Sequence, residues 1–388
     1  MSDLNDYRKK IDEIDEKLVQ LFEERMNVVL KVGEYKKEHK LPVLNRGREK
    51  EVIEKNIAYL KNKEYKDATV VFFKNMMDVA KDLEHKKVME KNAARDILEK
   101  CKIKEHRKNN CKVGFFGAIG SFTEEAMINH FGEIDDKKSY NEFENVFEAV
   151  NKGEIDYGVL PIENSSTGAI SKVYDLLYKY DFYIVGEEYV KINEHLVGID
   201  GSKIEDIKEV YSHEQPFAQS TKFLKDYPHW KLIPFHSTSV SAKLVKDLQD
   251  KSKAAITGER AANIYGLNII KRNINNNSQN TTRFIIISKE MECSSKCDKI
   301  SIVFSMEHKA GTLYDLVRHL AENSINMIKI ESRPMESGVW KYFLYVDLEG
   351  NVEDERVKRA LKLISEKSSY FKLLGGYEAI NKSEGDEL

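Results

Sequence analysis

The residues best placed to do chemistry in this sequence are neutral, and they stand in a few compact strings. Val159-Leu160-Pro161-Ile162-Glu163-Asn164-Ser165 leads to Gly168, Tyr211-Ser212-His213 leads to Gln215 and Gln219, and Asn280-Thr281-Thr282-Arg283-Phe284 follows. Thr123 belongs to a fourth, Gly117-Ala118-Ile119-Gly120-Ser121-Phe122-Thr123. A hydroxyl donates one hydrogen bond and accepts others, and Asn and Gln amides pair two donors with an acceptor oxygen. Groups of this kind orient an oxygen-rich anion and hydrogen-bond a developing or departing oxyanion. Taken singly each is weak: Ser or Thr before a helix is an ordinary N-cap, and Gly117 to Gly120 lacks the lysine of a P-loop. A second set is cationic. Arg8, Arg25 and Lys36 fall on one long helical pattern, with Lys36 eleven residues, about three turns, beyond Arg25. Cations along a seam that should be buried need anionic company, such as a dicarboxylate ligand.

The elements that must carry these groups fall into three patterns. Leu4, Tyr7, Ile11, Ile14, Leu18, Leu21, Val28 and Val32 recur at three- and four-residue steps. They predict one helix of about 35 residues, roughly 50 Å long, whose stripe needs partner helices or a second subunit. A break at Leu41-Pro42 precedes helices over about 46–61 and 65–95, so residues 1–95 read as all-α. Residues 96–111 are charged and weakly patterned, a linker. Between 112 and 291 short apolar runs alternate with helical segments: Val113–Phe116, Tyr157–Leu160, Tyr183–Val185, Val210–Tyr211, Ala254–Ile256 and Phe284–Ile287. This predicts an α/β domain with mostly parallel strands, whose strand ends and helix N-termini form the ligand crevice. Residues 298–380 read as βαββαβ, a ferredoxin-like module.

Composition narrows the partners. The 388 residues are 41% hydrophobic and 33% charged, and Lys+Arg (62) nearly cancels Asp+Glu (65) to leave a net charge of -3. That balance gives no global reason to expect nucleic acid or a membrane surface. With no apolar leader and no membrane-length run, the expected location is the cytoplasm. Cys101, Cys111, Cys293 and Cys297 lack zinc-like spacing and read as reduced thiols. No residue cluster demands a metal or an organic cofactor, and the terminal GDEL reads as a polar tail.

The three strings resemble, in order and spacing across about 112–290, the signatures of prephenate dehydratase. The resemblance implies two α/β lobes like those of a periplasmic binding protein, with prephenate bound in the interlobe cleft. It makes Thr282 the central catalytic hydroxyl, with Asn164, Ser212, Gln219 and Thr123 lining the pocket and Glu163 and His213 in support. Loss of CO2 and hydroxide from prephenate yields an aromatic ring, so orientation and hydrogen bonding of the departing hydroxyl suffice. Two rivals stay open: the same fold acting on arogenate, and a two-lobe sensor without turnover.

Residues 4–95 resemble the all-helical chorismate mutase through Arg8-x-x-Ile11-x-x-x-Asp15, Arg25, Lys36 and the Pro42…Arg48-Glu49 turn. The family's fold is an intertwined dimer, in which Arg8 would reach the partner's site. Arg25 and Arg48 would grip the carboxylates of chorismate, and Lys36 would meet charge on the ether oxygen. Asn45 stands where Asp is usual, Ala80 where Ser is common and Glu84 where Gln often contacts the ether oxygen. The rival here is a helical dimeriser without activity. Gly311-Thr312-Leu313 and Ile330-Glu331-Ser332-Arg333-Pro334 resemble the ACT domain, which pairs between subunits and binds amino acids. That implies phenylalanine as effector, in a homodimer or homotetramer. Glu84 can donate a hydrogen bond only when protonated, so as the ether contact it makes mutase activity rise as pH falls. A pH profile flat through the acid range overturns that contact.

Overall fold

The computed structural model describes residues 4–39, 46–89, 110–306, 311–334 and 342–380. The chain divides into two compact units, Met1–Asp96 and Ile97–Leu388. Asn45, Cys101, most of the expected linker and the GDEL tail lie outside the described residues, as do the side chains of Glu49 and Glu84. No helix among the described residues is long and apolar enough to cross a membrane.

The first unit is helical: α1 (Leu4–Glu38), α2 (Arg46–Ala58) and α3 (Lys66–Met89), the last entered through a 3-10 turn. Met26 and Gly33 of α1 and Met77 and Ala80 of α3 are buried where the helices pack. The stripe from Leu4 to Val32 is not: its eight residues are between 43% and 61% exposed. Within one copy, α1 therefore buries a second, narrower face and leaves its main apolar face uncovered.

The second unit begins with a lobe built on β1 (Val113–Phe116), β2 (Lys137–Tyr140), β3 (Tyr157–Asn164), the short β4 (Gly168–Ala169) and β5 (Tyr183–Lys191). Its helices are α4 (Phe122–Phe131), α5 (Phe143–Lys152) and α6 (Ser171–Lys179). After β5 the chain crosses into a second lobe, with β6 (His195–Gly198), β7 (Glu209–Ser212), β8 (Lys231–Pro234), β9 (Lys253–Thr257) and β10 (Asn268–Lys271). Helices α7 (Glu214–Gln219), α8 (Thr221–Leu224), α9 (Thr238–Leu248) and α10 (Glu259–Ile264) cover it. The chain then returns as β11 (Thr281–Ser288), which inserts between β3 and β5.

The sheets are mixed rather than mostly parallel. Sheet orders are β2-β1-β3-β11-β5 and β10-β6-β9-β7-β8, and in each lobe the parallel pairs are confined to one side. The reason is the return path: β11 arrives from the second lobe and runs antiparallel to both β3 and β5. Its Phe284-Ile285-Ile286-Ile287 run is buried on both faces, as a central strand requires.

The chain ends in β12 (Lys299–Ser305), α11 (Thr312–Glu322), β13 (Met327–Pro334), β14 (Tyr342–Glu349), α12 (Glu355–Lys367) and β15 (Tyr370–Tyr377). Its sheet, β13-β14-β12-β15, is antiparallel throughout. One face packs on α11 and α12, while Val303, Phe343, Tyr345, Leu374 and Tyr377 join the core of the first lobe. At Gly375 the backbones nearly touch, because an added Cβ would stand 2.0 Å from the Ile184 carbonyl oxygen. Gly375→Ala must pry β15 from β5, and thermal unfolding should register a loss of about 1–3 kcal/mol or more. An unchanged transition refutes this seam.

Candidate active site between the two lobes

Asn164, the last residue of β3, lies directly opposite Thr282 in β11. Residues opposed in a ladder share a face, and their neighbours face the other way. Asn164 Nδ2 donates to Thr282 Oγ1 at 2.9 Å and to Asn280 Oδ1 at 2.8 Å. Its Oδ1 accepts from the amides of Ser166 at 2.9 Å and Thr167 at 3.1 Å, which fixes the orientation of the side-chain amide. Thr282 Oγ1 is thus an acceptor toward Asn164. None of its described contacts takes its proton.

The second lobe closes on this cluster through α7. Asn280 Nδ2 donates to Gln219 Oε1 at 3.3 Å, leaving Gln219 Nε2 buried without a partner. Gln215 Nε2 reaches Thr167 Oγ1 at 3.4 Å. A buried amide donor and a hydroxyl proton therefore stand unused where the lobes meet, which is what an oxygen-rich ligand requires.

The remaining expected residues are placed as follows. Ser212 sits at the end of β7, buried, with Oγ donating to the Ile256 carbonyl at 2.8 Å, so it can offer a ligand only its lone pairs. His213 caps α7, its Nδ1 accepting from Gln215 N at 3.3 Å. Thr123 is buried in the first turn of α4. The glycine loop before it gives up its anion-binding capacity internally: Gly120 N donates to Glu124 Oε2 at 2.7 Å, and Lys137 and Arg260 neutralise Glu124. Glu163 departs from the expectation. One residue out of phase with Asn164, it faces away from the cleft and pairs with Lys329 of β13 and with Arg283 at 3.7 Å. Asn280, Gln215, Ser166 and Thr167 lie within the motif strings or between their ends, and the structure adds them to the expected site residues. Their adjacency to Asn164, Thr282 and Gln219 is the signal that would have found them.

Elsewhere the candidates are scattered. Arg25 is half-buried on α1, and burial pulls its pKa down while its Nη1 finds no partner. Lys36 is half-buried on the same side and Arg8 is exposed. Arg48 pairs at the surface with Glu51 at 2.9 Å. An open depression of about 520 Å³ between α2 and α3 is lined by Tyr59, Phe72 and Phe73 among others, but by none of these cations. At the far end, Gly311 adopts φ +95° just before α11, followed by Thr312 and an exposed Leu313. Glu331, Ser332, Arg333 and Pro334 close β13, where Arg333 bonds Ser171 Oγ at 2.7 Å and pairs with Asp175 at 3.2 Å. Among the described residues no group of His, Cys, Asp and Glu could hold a metal ion.

A two-lobe α/β scaffold with hydroxyls and amides converging where its lobes meet is an enzyme-type domain for a small oxygenated ligand. Residues 113–292 match the prephenate dehydratase family and residues 7–85 the chorismate mutase type II family. The chain belongs to the bifunctional chorismate mutase/prephenate dehydratase family: the protein of that description from Aquifex aeolicus is 33% identical over 383 residues, 97% of this chain and 98% of its own. It thus joins the isomerisation of chorismate to prephenate with the conversion of prephenate to phenylpyruvate, on the route to phenylalanine. The solved prephenate dehydratase of Arthrobacter aurescens in complex with L-Phe superposes with a TM-score of 0.63 at 29% identity, covering 69% of this chain and 90% of its own. GqqA, described as a quorum-quenching acylase, gives the same TM-score of 0.63 at 26% identity over 69% of this chain and 98% of its own. One scaffold thus carries more than one described activity, and the site must decide.

The crossovers between lobes hold a buried acid. Ile192 N donates to Asn280 O at 2.8 Å and Ile274 N to Glu194 O at 2.9 Å, knitting the two connections together. The Glu194 side chain is buried, with Oε2 unpartnered, and burial pushes its pKa up to about 8. The folded state therefore keeps a proton that the unfolded chain releases near pH ~4.3. Its stabilising contribution is complete below that pH and fades as pH rises through about 8. Glu194→Gln should flatten this dependence, adding on the order of a few kcal/mol at pH 8 and little at pH 4. Urea unfolding at both pH values checks it, and parallel curves for the two proteins overturn it.

Proposed function

We propose that the cluster around Thr282 is the dehydratase site and that the Thr282 hydroxyl hydrogen-bonds the departing hydroxyl of prephenate. The observation that carries this is the Asn164–Thr282 bond, in which the threonine oxygen accepts and its proton stays available, beside the unused amide of Gln219. In the reaction one C–O and one C–C bond break, and prephenate with one proton gives phenylpyruvate, CO2 and water. Aromatisation supplies the driving force, so the protein's task is to hold the ring and favour charge on the departing oxygen. Gln219 and the remaining Asn280 amide proton hold the substrate's oxyanions, while Asn164, its own donors already spent, lines the pocket and orients Thr282. Thr123 and Ser212 shape the pocket, and His213 supports it through the start of α7. Thr282→Ala should lower kcat by about 10²–10³. Near-normal turnover of prephenate by that variant would falsify the assignment, and comparison with arogenate decides which substrate the pocket prefers.

In the helical unit Arg25 and Lys36 form the core of the mutase site, with Arg48, Glu49, Asn45 and Glu84 completing it and Arg8 arriving from a second copy. The half-buried, unpartnered guanidinium of Arg25 and the bare stripe of α1 support this reading, since a second copy would cover the stripe and a dicarboxylate would neutralise the arginine. The C-terminal module is read as an ACT domain that binds phenylalanine near Gly311-Thr312-Leu313 and Glu331 to Pro334. The glycine's positive φ leaves backbone open there, and the Arthrobacter relative is described in complex with L-Phe. With chorismate as sole substrate the full-length protein should release phenylpyruvate. Phenylpyruvate from prephenate alone would reduce the helical unit to an assembly element. Phenylalanine, but not alanine, should raise the melting temperature.

A further inference from the structure

The cleft-facing pair of Asn164 and Thr282 has a mirror on the opposite face of the same two strands. Glu163 stands directly opposite Arg283, one residue along from Asn164 opposite Thr282. Both members of this rear pair are held by the C-terminal module. Lys329 of β13 pairs with Glu163, and Arg283 donates to Asp347 Oδ2 of β14 at 2.6 Å and to the Tyr377 hydroxyl of β15 at 2.8 Å. Lys329 and Asp347 are themselves opposed across β13 and β14. Glu187 of β5 takes Arg283 Nε at 2.8 Å and Lys299 of β12 at 2.8 Å, while Ser301 donates to Asp347 Oδ1 at 2.6 Å. Arg283, Glu187 and Lys299 are all 3% exposed or less. Buried ions with this many fixed partners have little freedom to re-pair, so the strands they sit on are pinned.

We propose that Glu163 and Arg283 are positioning residues for the dehydratase, and that the C-terminal module, through Lys329 and Asp347, sets the register in which Asn164 meets Thr282. This rests on the reading of Asn164 and Thr282 given above. The module is then a working part of the dehydratase even with no effector bound. The hydrogen bond from Asn164 to Thr282 spans 2.9 Å, and a shift of a few tenths of an ångström in β3 relative to β11 redirects the hydroxyl proton.

The test uses the full-length chain and residues remote from the cleft. Lys329→Met keeps length and removes charge, and Asp347→Asn keeps shape. Each should cut kcat for prephenate by about tenfold while KM stays within about twofold, because orientation and not binding is lost. Mutase turnover, measured on the same preparations, should not change. A double-mutant cycle separates positioning from general loosening. In an Asn164→Ala background, Lys329→Met should cost less than about twofold, since the bond it protects is already gone. Equal fold losses in both backgrounds, or full dehydratase activity in Lys329→Met, would overturn the proposal. If Asn164→Ala by itself leaves dehydratase activity intact, the reading of the cleft fails first, and the two failures are distinguishable. Should Asp347→Asn prove too unstable to assay, Glu163→Gln, on the more solvent-accessible of the two links, takes its place in the same cycle.

Discussion

The alternation of side chains along β11 is the constraint on which the second unit depends. Thr282 faces the cleft, Arg283 faces the C-terminal module, and Phe284 returns to the core of the first lobe. Three successive residues serve three environments, and none can be moved by one position without exchanging a hydroxyl, a cation and an aromatic ring between them. A register irregularity between Arg283 and Phe284 against β3 lies just beyond the two opposed pairs, so the ladder keeps Asn164 and Glu163 in step with Thr282 and Arg283 before it slips. Burial opposes the charge on Arg283, yet Tyr377, Asp347 and Glu187 together hold its pKa well above the ordinary value. Burial likewise disfavours ionised Asp347, and Arg283 and Lys299 reverse that and keep its carboxyl below the usual range. The stabilisation from Asp347 is accordingly present above the ordinary carboxylate pKa and lost as pH falls through its lowered one.

Much of this was legible in the residues. The strings ending β3, opening α7 and opening β11 stood at the places where strands give way to helices or crossovers, and the six apolar runs became strands. What could not be read was phase. Nothing in Glu163-Asn164 says which of two adjacent polar residues faces a cleft that forms only when a strand from 117 residues further on pairs with it. The strands that escaped notice are the two-residue β4 and the four-residue β2, β6, β8 and β10, and Lys137-Lys138-Ser139-Tyr140 carries no hydrophobic signature because it is an exposed edge. The antiparallel half of each sheet was hidden for a different reason: local pattern reports a strand but not the direction from which the chain returns.

In the helical unit the sequence showed a stripe, and the structure shows the same stripe bare. Only Met26, Met77 and Ala80 are its buried apolar side chains among the described residues, too few to close a core. Arg25 and Lys36 are half-buried, at the margin between the face packed on α3 and the exposed one. The two units thus differ in the groups they offer. One carries cations on helices whose apolar stripe is bare, and the other places neutral donors at a junction with buried charges behind it.

The position of β11 has a consequence for how the chain is made. The first lobe's sheet has its third and fifth strands complete by residue 191, yet the strand that joins them is not synthesised until residues 281–288. During that interval the ribosome has delivered two apolar strands with unpaired edges and must also deliver a whole second lobe before either edge is covered. The second lobe, continuous in sequence from 195 to 271, can finish first and act as the spacer that brings β11 home. For this chain the first lobe's sheet therefore cannot close until the second lobe has been synthesised, and the residues that would run the dehydratase cannot become neighbours before residue 282 is made.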